Sequence, residues 1–233
     1  MVAYGEFIKI FSPDHLVFIA GLILIALLFI KFRDQIKENK NRFTRIILII
    51  SLGQQILLYT SYFYILQFDL GESLPFHISR ITSLMGIFYL LTRNKKIFPV
   101  LAFFSMYAWT SFLYPSRVYG ISHPIGISFF INHVVTLLLP FYGIYVFEER
   151  IQREDKWKAF SWFLIYLAFV MLLNPLVDGN YFYLKHKPLL GSLPNSIYIP
   201  LILLFTLMLF LLGESLFTIY QTRVSKSNFE CTD

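Results

Sequence analysis

Seven long apolar segments, separated by short polar loops, are the feature that most restricts what this chain can fold into. A helix needs about 20 mostly apolar residues to cross the hydrocarbon core of a bilayer. The segments lie at residues 16–32, 46–66, 75–91, 97–114, 125–147, 159–177 and 197–220. The polar stretches between them are too short to build a soluble core. The sequence therefore predicts an all-α fold: a polytopic membrane bundle of seven transmembrane helices, forming one domain over residues 1–233 with a polar cytoplasmic tail at 221–233.

The distribution of basic residues predicts how the bundle is oriented. With seven crossings, 15 Lys and Arg side chains fall on one side of the membrane and 5 on the other. The side richer in Lys and Arg is normally cytoplasmic. We therefore expect an external N-terminus, a cytoplasmic C-terminus and a multi-pass protein of the cytoplasmic membrane. The same distribution accounts for the net charge of +6 without a nucleic-acid partner.

The number of cysteines and the spacing of the histidines limit the kinds of site that this chain can form. The single cysteine, Cys231, lies in the polar tail, so a disulfide or an intramembrane thiol nucleophile is not expected. Histidine spacings typical of zinc sites, such as HExxH, do not occur. We predict neither a metal nor another cofactor. The N-terminus also lacks the basic segment and small-residue cleavage site of a signal peptide.

Polar side chains inside the apolar segments mark the candidate site. His77, Ser79 and Arg80 open the third segment, where ionisable groups are costly and therefore functional candidates. Two further segments carry polar stripes at helical spacing, which should face other helices or a cavity. The second segment contributes Ser51, Gln55, Tyr59 and Tyr62, and the fifth contributes Ser128, Asn132 and Thr136 beside His133.

All five histidines fall on the predicted external side, where the two stripes also end. They are His15, His77, His123, His133 and His186. We therefore expect an outward-facing polar cavity lined by the second, third and fifth segments. The candidate substrate-binding residues are Arg80, Asn132, Gln55, Tyr59, Asn180 and Lys187, and the candidate catalytic residues are His133, His77 and Ser79.

Each candidate has a simpler interpretation beside the functional one. In a continuous helix His77 shares a face with Arg80 and not with Ser79, so His133 is the better base for that hydroxyl. Arg80 either extends to the lipid headgroups or binds an anion such as a lipid phosphate or a carboxylate. His133 either bonds across helices or acts in catalysis.

Several motifs, taken in order, resemble a known family. They are Phe11-Ser12-Pro13-Asp14-His15, Glu72-Ser73-Leu74-Pro75-Phe76-His77, Leu91-Thr92-Arg93-Asn94-Lys95, Phe129-Phe130-Ile131-Asn132-His133 and Asn180-Tyr181-Phe182-Tyr183-Leu184 with Lys187-Pro188. With these, the chain resembles the YwaF-like bacterial integral membrane proteins, which are similar to the eukaryotic transmembrane protein 164 family. The resemblance implies a compact multi-helix membrane fold and acyl transfer on phospholipids. Relatives often carry a cysteine nucleophile where this chain has Ser79, so the resemblance implies either an oxygen nucleophile there or different chemistry.

Three functional hypotheses follow. The leading one is acyl transfer or hydrolysis on membrane lipids, with His133 or His77 as base, Ser79 as nucleophile and Arg80 as phosphate anchor. The alternative is a transporter, or a solute-binding membrane subunit, for a small anionic solute, with Glu214 at an inner gate. A transporter needs a polar path towards Glu214, whereas an enzyme cavity should be closed below and open sideways to lipid. A structural or immunity-type partner protein would leave the polar stripes unexplained.

Overall fold

The computed structural model describes residues 7–188, 191 and 193–230, with side chains up to residue 226. Within these residues the chain is helical and forms no strand; Phe7 and Tyr119 make an isolated bridge. The all-helical prediction is therefore confirmed. The α-helices are α1 (Pro13–Lys31), α2 (Arg33–Glu38), α3 (Lys40–Ser61, continued by a π-helical turn at Tyr62–Leu66), α4 (Ile78–Thr92), α5 (Phe98–Leu113), α6 (Pro124–Phe147), α7 (Asp155–Leu176) and α8 (Asn195–Glu230), with a 3₁₀ turn at Tyr181–Tyr183.

Five helices in the described part of the chain are long and apolar enough to cross a membrane. They are α1, α3 with its π-helical turn, α6, α7 and α8. The other two apolar helices, α4 and α5, have 15 and 16 residues. At about 1.5 Å per residue they reach roughly 22–24 Å, less than the ~30 Å hydrocarbon core. A multi-pass membrane protein is thus supported, whereas seven crossings and their orientation stay predictions.

The short helix α5 lies at the centre of the bundle. Eleven of its sixteen side chains are buried, and it packs against α4, α6, α7 and α8. A helix that is enclosed by protein contacts neighbouring helices and not lipid, so its length need not match the thickness of the bilayer. The outer helices instead expose apolar side chains such as Ile49, Ile56, Leu172 and Leu212. Such an outer surface suits contact with lipid.

The starts of α1 and α4 show how local sequence controls helix ends. Ser12 caps α1 and its hydroxyl accepts from the His15 amide, as the Ser-Pro-Asp sequence predicts. The helix α4 begins at Ile78, later than the predicted residue 75. The reason is Arg80, whose Nη1 donates to the carbonyls of Glu72 at 2.5 Å and Leu74 at 2.8 Å. These bonds hold the preceding segment as a turn folded over the helix start.

The last helix, α8, continues beyond the predicted end of its apolar segment. The predicted boundary at residue 220 lies inside α8, and residues 221–230 extend the helix as a polar end. Residues 231–233 of the predicted tail, including Cys231, lie outside the described residues.

Candidate functional site

A cavity of about 440 Å³ lies at the end of the bundle where α4 and α6 begin. Its polar wall comes from α3, α4 and α6, which are the second, third and fifth predicted segments. Helix α8 adds aromatic and aliphatic side chains, α5 adds Tyr107 with the hydroxyls of Thr110 and Ser111, and loop residues complete the lining. The lining includes Gln54, Ser79, Arg80, Ser128, Asn132 and His133 on the polar wall, Tyr107, Tyr198, Leu201 and Phe205 from α5 and α8, and Glu72, His77, Arg117 and Tyr183 from the loops.

The side chain of His133 is held in one orientation by its own helix. Its Nδ1 lies 2.8 Å from the Phe129 carbonyl, and its ring packs 4.0 Å from the Phe129 ring. A carbonyl oxygen can only accept, so Nδ1 carries the hydrogen and Nε2 of the neutral ring is the lone-pair acceptor. Among the described residues nothing hydrogen-bonds this Nε2, and His133 lines the cavity. The ring of a cavity-lining residue therefore keeps one acceptor nitrogen without a partner among the described residues.

The contact between α4 and α6 places Ser79 on the same wall as His133. The Asn132 side-chain amide lies 3.5 Å from the Ser79 carbonyl. Ser79 is in the first turn of α4, at the positive end of the helix dipole. The Arg80 and Ile81 amides donate to the His77 carbonyl at 2.9 and 3.1 Å, whereas the Ile78 and Ser79 amides have no carbonyl partner within the helix. An oxyanion formed near Ser79 would therefore meet hydrogen-bond donors.

His77 lies just before α4 and does not share a helical face with Arg80, because α4 starts after it. Its Nε2 is 3.2 Å from Glu72 Oε1. The nitrogen is nevertheless buried without a hydrogen bond to a described residue. Burial lowers the pKa of His77 and the charge of Arg80 lowers it further, against the opposing effect of Glu72. His77 is therefore a largely neutral, incompletely paired polar group facing the cavity.

Glu72 is the acidic side chain in the cavity lining. Burial raises the pKa of Glu72, but contact with His77 and the charge of Arg80 outweigh burial and hold that pKa below its usual value. Arg117 also lines the cavity and makes no ion pair with a described residue; its guanidinium lies 5.9 Å from the Phe7 ring centre. Two arginines against one carboxylate leave the cavity with a positive field.

Arg80 serves the fold in a way that the sequence does not reveal. Beyond its two carbonyl partners, its Nη2 donates to the Tyr62 hydroxyl and its guanidinium lies over the Tyr62 ring. The side chain is buried, so it does not extend to lipid headgroups. Because three of its five N–H donors already have partners, Arg80 contributes mainly its charge to the cavity.

The polar stripe of α3 faces the cavity one position away from the predicted one. Gln54 lines the cavity and its Nε2 donates to Ser128 Oγ at 2.8 Å. Gln55 lies behind it, donating to Gln54 Oε1 at 2.9 Å and Ser83 Oγ at 3.0 Å. Gln55 therefore orients a lining residue and does not line the cavity.

Three other predicted binding residues are not brought to the cavity wall. Tyr59 is half-buried against Tyr62. Asn180 organises its own loop, accepting the amides of Lys185 and His186 at 2.9 and 2.8 Å. Lys187 donates to the Leu193 carbonyl and lies over the Tyr198 ring. Their contacts in this structure are structural ones.

The five histidines share one end of the bundle but do not cluster. His15 accepts the Phe11 amide and bonds the Phe112 carbonyl, while His123 accepts the Ile125 amide at the start of α6. His186 is an exposed loop residue. His77 and His133 are the ones that line the cavity. Within the described residues no three His, Cys, Asp or Glu side chains come together as a metal site would require.

Sequence reasoning missed Gln54, Glu72 and Arg117 as cavity residues. Gln54 could have been found from the sequence, because it is as polar as Gln55 and lies one position away on the same helix. Glu72 and Arg117 lie in loops whose path over the cavity depends on tertiary contacts. One such contact is the backbone of Tyr119 and Gly120 against Gly126.

Comparison with known proteins agrees with the motifs. A family model described as the TMEM164 family matches residues 10–214. No curated protein and no solved structure matched the chain. The narrower YwaF-like bacterial grouping stays a prediction. Since the match covers most of the 233 residues, the chain is a membrane protein belonging to the TMEM164 family.

Proposed function

We propose that this protein transfers or hydrolyses acyl groups of membrane lipids, with Ser79 as nucleophile and His133 as general base. The observation that carries the proposal is the orientation of His133. Its Nδ1–H is bonded to the Phe129 carbonyl, so the acceptor Nε2 is left for the cavity that Ser79 also lines. A base held in one tautomer by a second hydrogen bond is the arrangement that activates hydroxyl nucleophiles.

The reaction then follows ordinary acyl-transfer chemistry. Ser79 Oγ attacks the carbonyl carbon of a lipid ester while its proton passes to His133 Nε2. The oxyanion accepts from the Ile78 and Ser79 amides at the start of α4, since those of Arg80 and Ile81 already donate to the His77 carbonyl. Collapse of the intermediate breaks the ester C–O bond, and His133 returns the proton to the leaving alcohol. The acyl group on Ser79 then passes to an acceptor hydroxyl or to water.

The shape and polarity of the cavity support a lipid as substrate. Its polar wall carries Arg80 and Arg117, whose positive field suits the phosphate of a headgroup. The residues that α8 contributes to the lining are aromatic or aliphatic and include Leu201 and Phe205, which are 41% and 43% exposed. These side chains offer an apolar surface for the acyl chain of a lipid.

The closed lower end of the cavity favours an enzyme over a transporter. Phe103, Phe163 and Phe210 are completely buried between the cavity and Glu214, with the Phe103 and Phe210 ring centres 5.3 Å apart. Glu214 itself is neutralised by Lys156 at 2.5 Å and Arg153 at 3.3 Å. A solute would have to displace this aromatic layer to reach the other end.

Seven crossings and an outward-facing cavity in the cytoplasmic membrane are part of the proposal. Helices α4 and α5 run antiparallel through the bundle, because Ser79 and Ser111 line the cavity whereas Lys95 and Pro99 line a groove at the opposite end. The cavity end carries few basic residues, which favours the external side. In this arrangement membrane lipids both surround the protein and serve as its substrate.

One observation favours the alternative, a transporter or solute-binding subunit for a small anion. The polar wall continues below the cavity through Thr136, whose hydroxyl donates to Asn132 Oδ1 at 3.5 Å, and through Gln55 to Ser83. Such a polar path could guide a solute if the aromatic layer opened.

The deciding experiment measures release and transfer of an isotope-labelled acyl chain from phospholipid by the purified full chain. We expect Ser79→Ala and His133→Gln each to lower the rate by about 100-fold or more. Ser215→Ala and His186→Gln, which alter exposed residues away from the cavity, should leave the rate unchanged. Wild-type turnover in both cavity variants would overturn the assignment, and uptake of a labelled anion into proteoliposomes without lipid turnover would favour the transporter.

A further inference from the structure

A second concave site lies at the opposite end of the bundle from the cavity. It is a groove of about 680 Å³ between the α4–α5 turn, the α6–α7 loop and the first turns of α7. Four of its lining side chains are cationic and one is acidic. They are Lys95, Lys96, Arg150 and Lys158, with Asp155.

The single carboxylate in this groove is already engaged. Asp155 is 4% exposed; it accepts from Lys158 Nζ at 2.9 Å and from the Gln152 amide at 2.8 Å. Three other acids lie nearby in sequence, and none of them lines the groove. Glu148 is paired with Lys37 at 3.0 Å, Glu149 accepts from the Tyr89 hydroxyl at 3.2 Å, and Glu154 is exposed. Among the described residues, Lys95, Lys96 and Arg150 form no ion pair. The lining of the groove therefore carries more positive than negative charge.

The position of the groove indicates where an anion would come from. Trp162 lines the groove and exposes 57% of its surface. One turn further along α7, Ile165 is 58% exposed, as expected for a side chain in lipid. Tryptophan is enriched where a membrane-spanning helix enters the headgroup region. The groove thus opens at the bilayer surface, with cations on its polar side and apolar side chains on its lipid side.

We propose that this groove binds the phosphate of an anionic phospholipid headgroup. The Arg150 guanidinium offers paired donors to phosphate oxygens, and the two lysines add point charges. Basic recesses between membrane helices are suited to anionic headgroups for this reason. The site is separate from the cavity, so the proposal stands whether or not Ser79 performs acyl transfer.

Native mass spectrometry of the detergent-solubilised full chain tests the proposal. The protein is titrated with phosphatidylglycerol and, separately, with phosphatidylcholine. We expect at least one phosphatidylglycerol molecule to bind more tightly than phosphatidylcholine. The triple variant Lys95→Gln, Lys96→Gln, Arg150→Gln should lose that preference, with an affinity loss of about fivefold per charge removed.

The control variant carries Lys40→Gln, Arg42→Gln and Arg45→Gln, three exposed basic residues at the same end of the bundle. It should keep the preference. An equal loss in the control would overturn the proposal, because the effect would then reflect total charge. Displacement of the lipid by millimolar inorganic phosphate would overturn the lipid assignment in favour of a soluble phosphate. The pair Lys95→Arg, Lys96→Arg should bind as the wild type does, which excludes misfolding as the cause of loss.

Discussion

The Asn132 side-chain amide lies 3.5 Å from the Ser79 backbone carbonyl, so the first turn of α4 rests on the turn of α6 that carries His133. This contact joins the positive start of a helix to an oriented imidazole. Neither helix holds both features. The candidate site is therefore a product of how α4 and α6 pack.

A cysteine at position 79 should be reachable from the cavity, and preferentially by anions. In a Cys231→Ser background, Ser79→Cys carries a single thiol. Because Arg80 and Arg117 give the cavity a positive field, a negatively charged methanethiosulfonate should react faster than its cationic analogue. The measurement is the ratio of the two labelling rates. Thr222→Cys, exposed at the other end of α8, is the control, and an equal ratio at both positions would contradict a positive cavity.

Replacing Arg80 should destabilise the bundle more than replacing an exposed arginine. Arg80→Gln loses charge-assisted bonds to the Glu72 and Leu74 carbonyls and to Tyr62, so the free energy of unfolding should fall by about 2–4 kcal/mol. Arg153→Gln removes an 87% exposed partner of Glu214 and should cost less than about 1 kcal/mol. Denaturation followed by tryptophan fluorescence compares them. Equal losses would mean that Arg80 does not hold the turn.

These bonds also explain why the sequence predicts the helices better than the site. Hydropathy locates the long helices because a backbone in lipid must pair within its own segment. The start of α4 is different: residues 75–77 belong to the predicted third segment, yet Arg80 binds the carbonyls of Glu72 and Leu74 and holds the chain before α4 in a turn. Whether residues 75–77 join α4 thus depends on where the buried Arg80 guanidinium finds hydrogen-bond partners. The spacing of apolar residues in the sequence does not show this.

The polar face of α3 shows that the sequence also does not predict which of two neighbouring residues lines the cavity. Gln54 and Gln55 are neighbours about 100° apart on the helix, and both are amides. Their order in the network depends on Ser128 lying opposite Gln54 and Ser83 opposite Gln55. The polar stripe of α6 is easier to predict from the sequence, because Ser128, Asn132 and Thr136 are all buried as their spacing predicts.

A methyl group at Gly126 should disrupt the loop over the cavity. An added Cβ would lie 1.9 Å from the Gly120 carbonyl oxygen, which belongs to backbone and cannot rotate away. Gly126→Ala should therefore lower thermal stability and displace the loop that carries Arg117. Gly53→Ala is the matched helical control, since its Cβ would meet nothing within 4 Å. It should be neutral or slightly stabilising, because alanine favours a helix over glycine by about 1 kcal/mol. Similar behaviour of the two variants would show that the loop is not packed this closely.

Acid should destabilise the protein through His77. Burial and the charge of Arg80 lower the pKa of His77 in the folded protein below its ordinary value of 6.5. The unfolded chain then binds a proton more readily than the folded one, so the free energy of unfolding is highest above pH 6.5 and falls as the pH drops below it. The lowered pKa of Glu72 acts in the same direction at lower pH, where its contact with His77 is lost on protonation.

The measurement for this last prediction is thermal unfolding between pH 8 and pH 5 for the wild type and two variants. His77→Gln cannot take up the proton, so its unfolding temperature should fall less over the first acidic step than that of the wild type. His186→Gln alters an exposed histidine and should follow the wild-type curve. If His77→Gln and wild type fall in parallel, His77 is not the buried neutral group that the geometry indicates, and its nitrogen must already have a partner in solution.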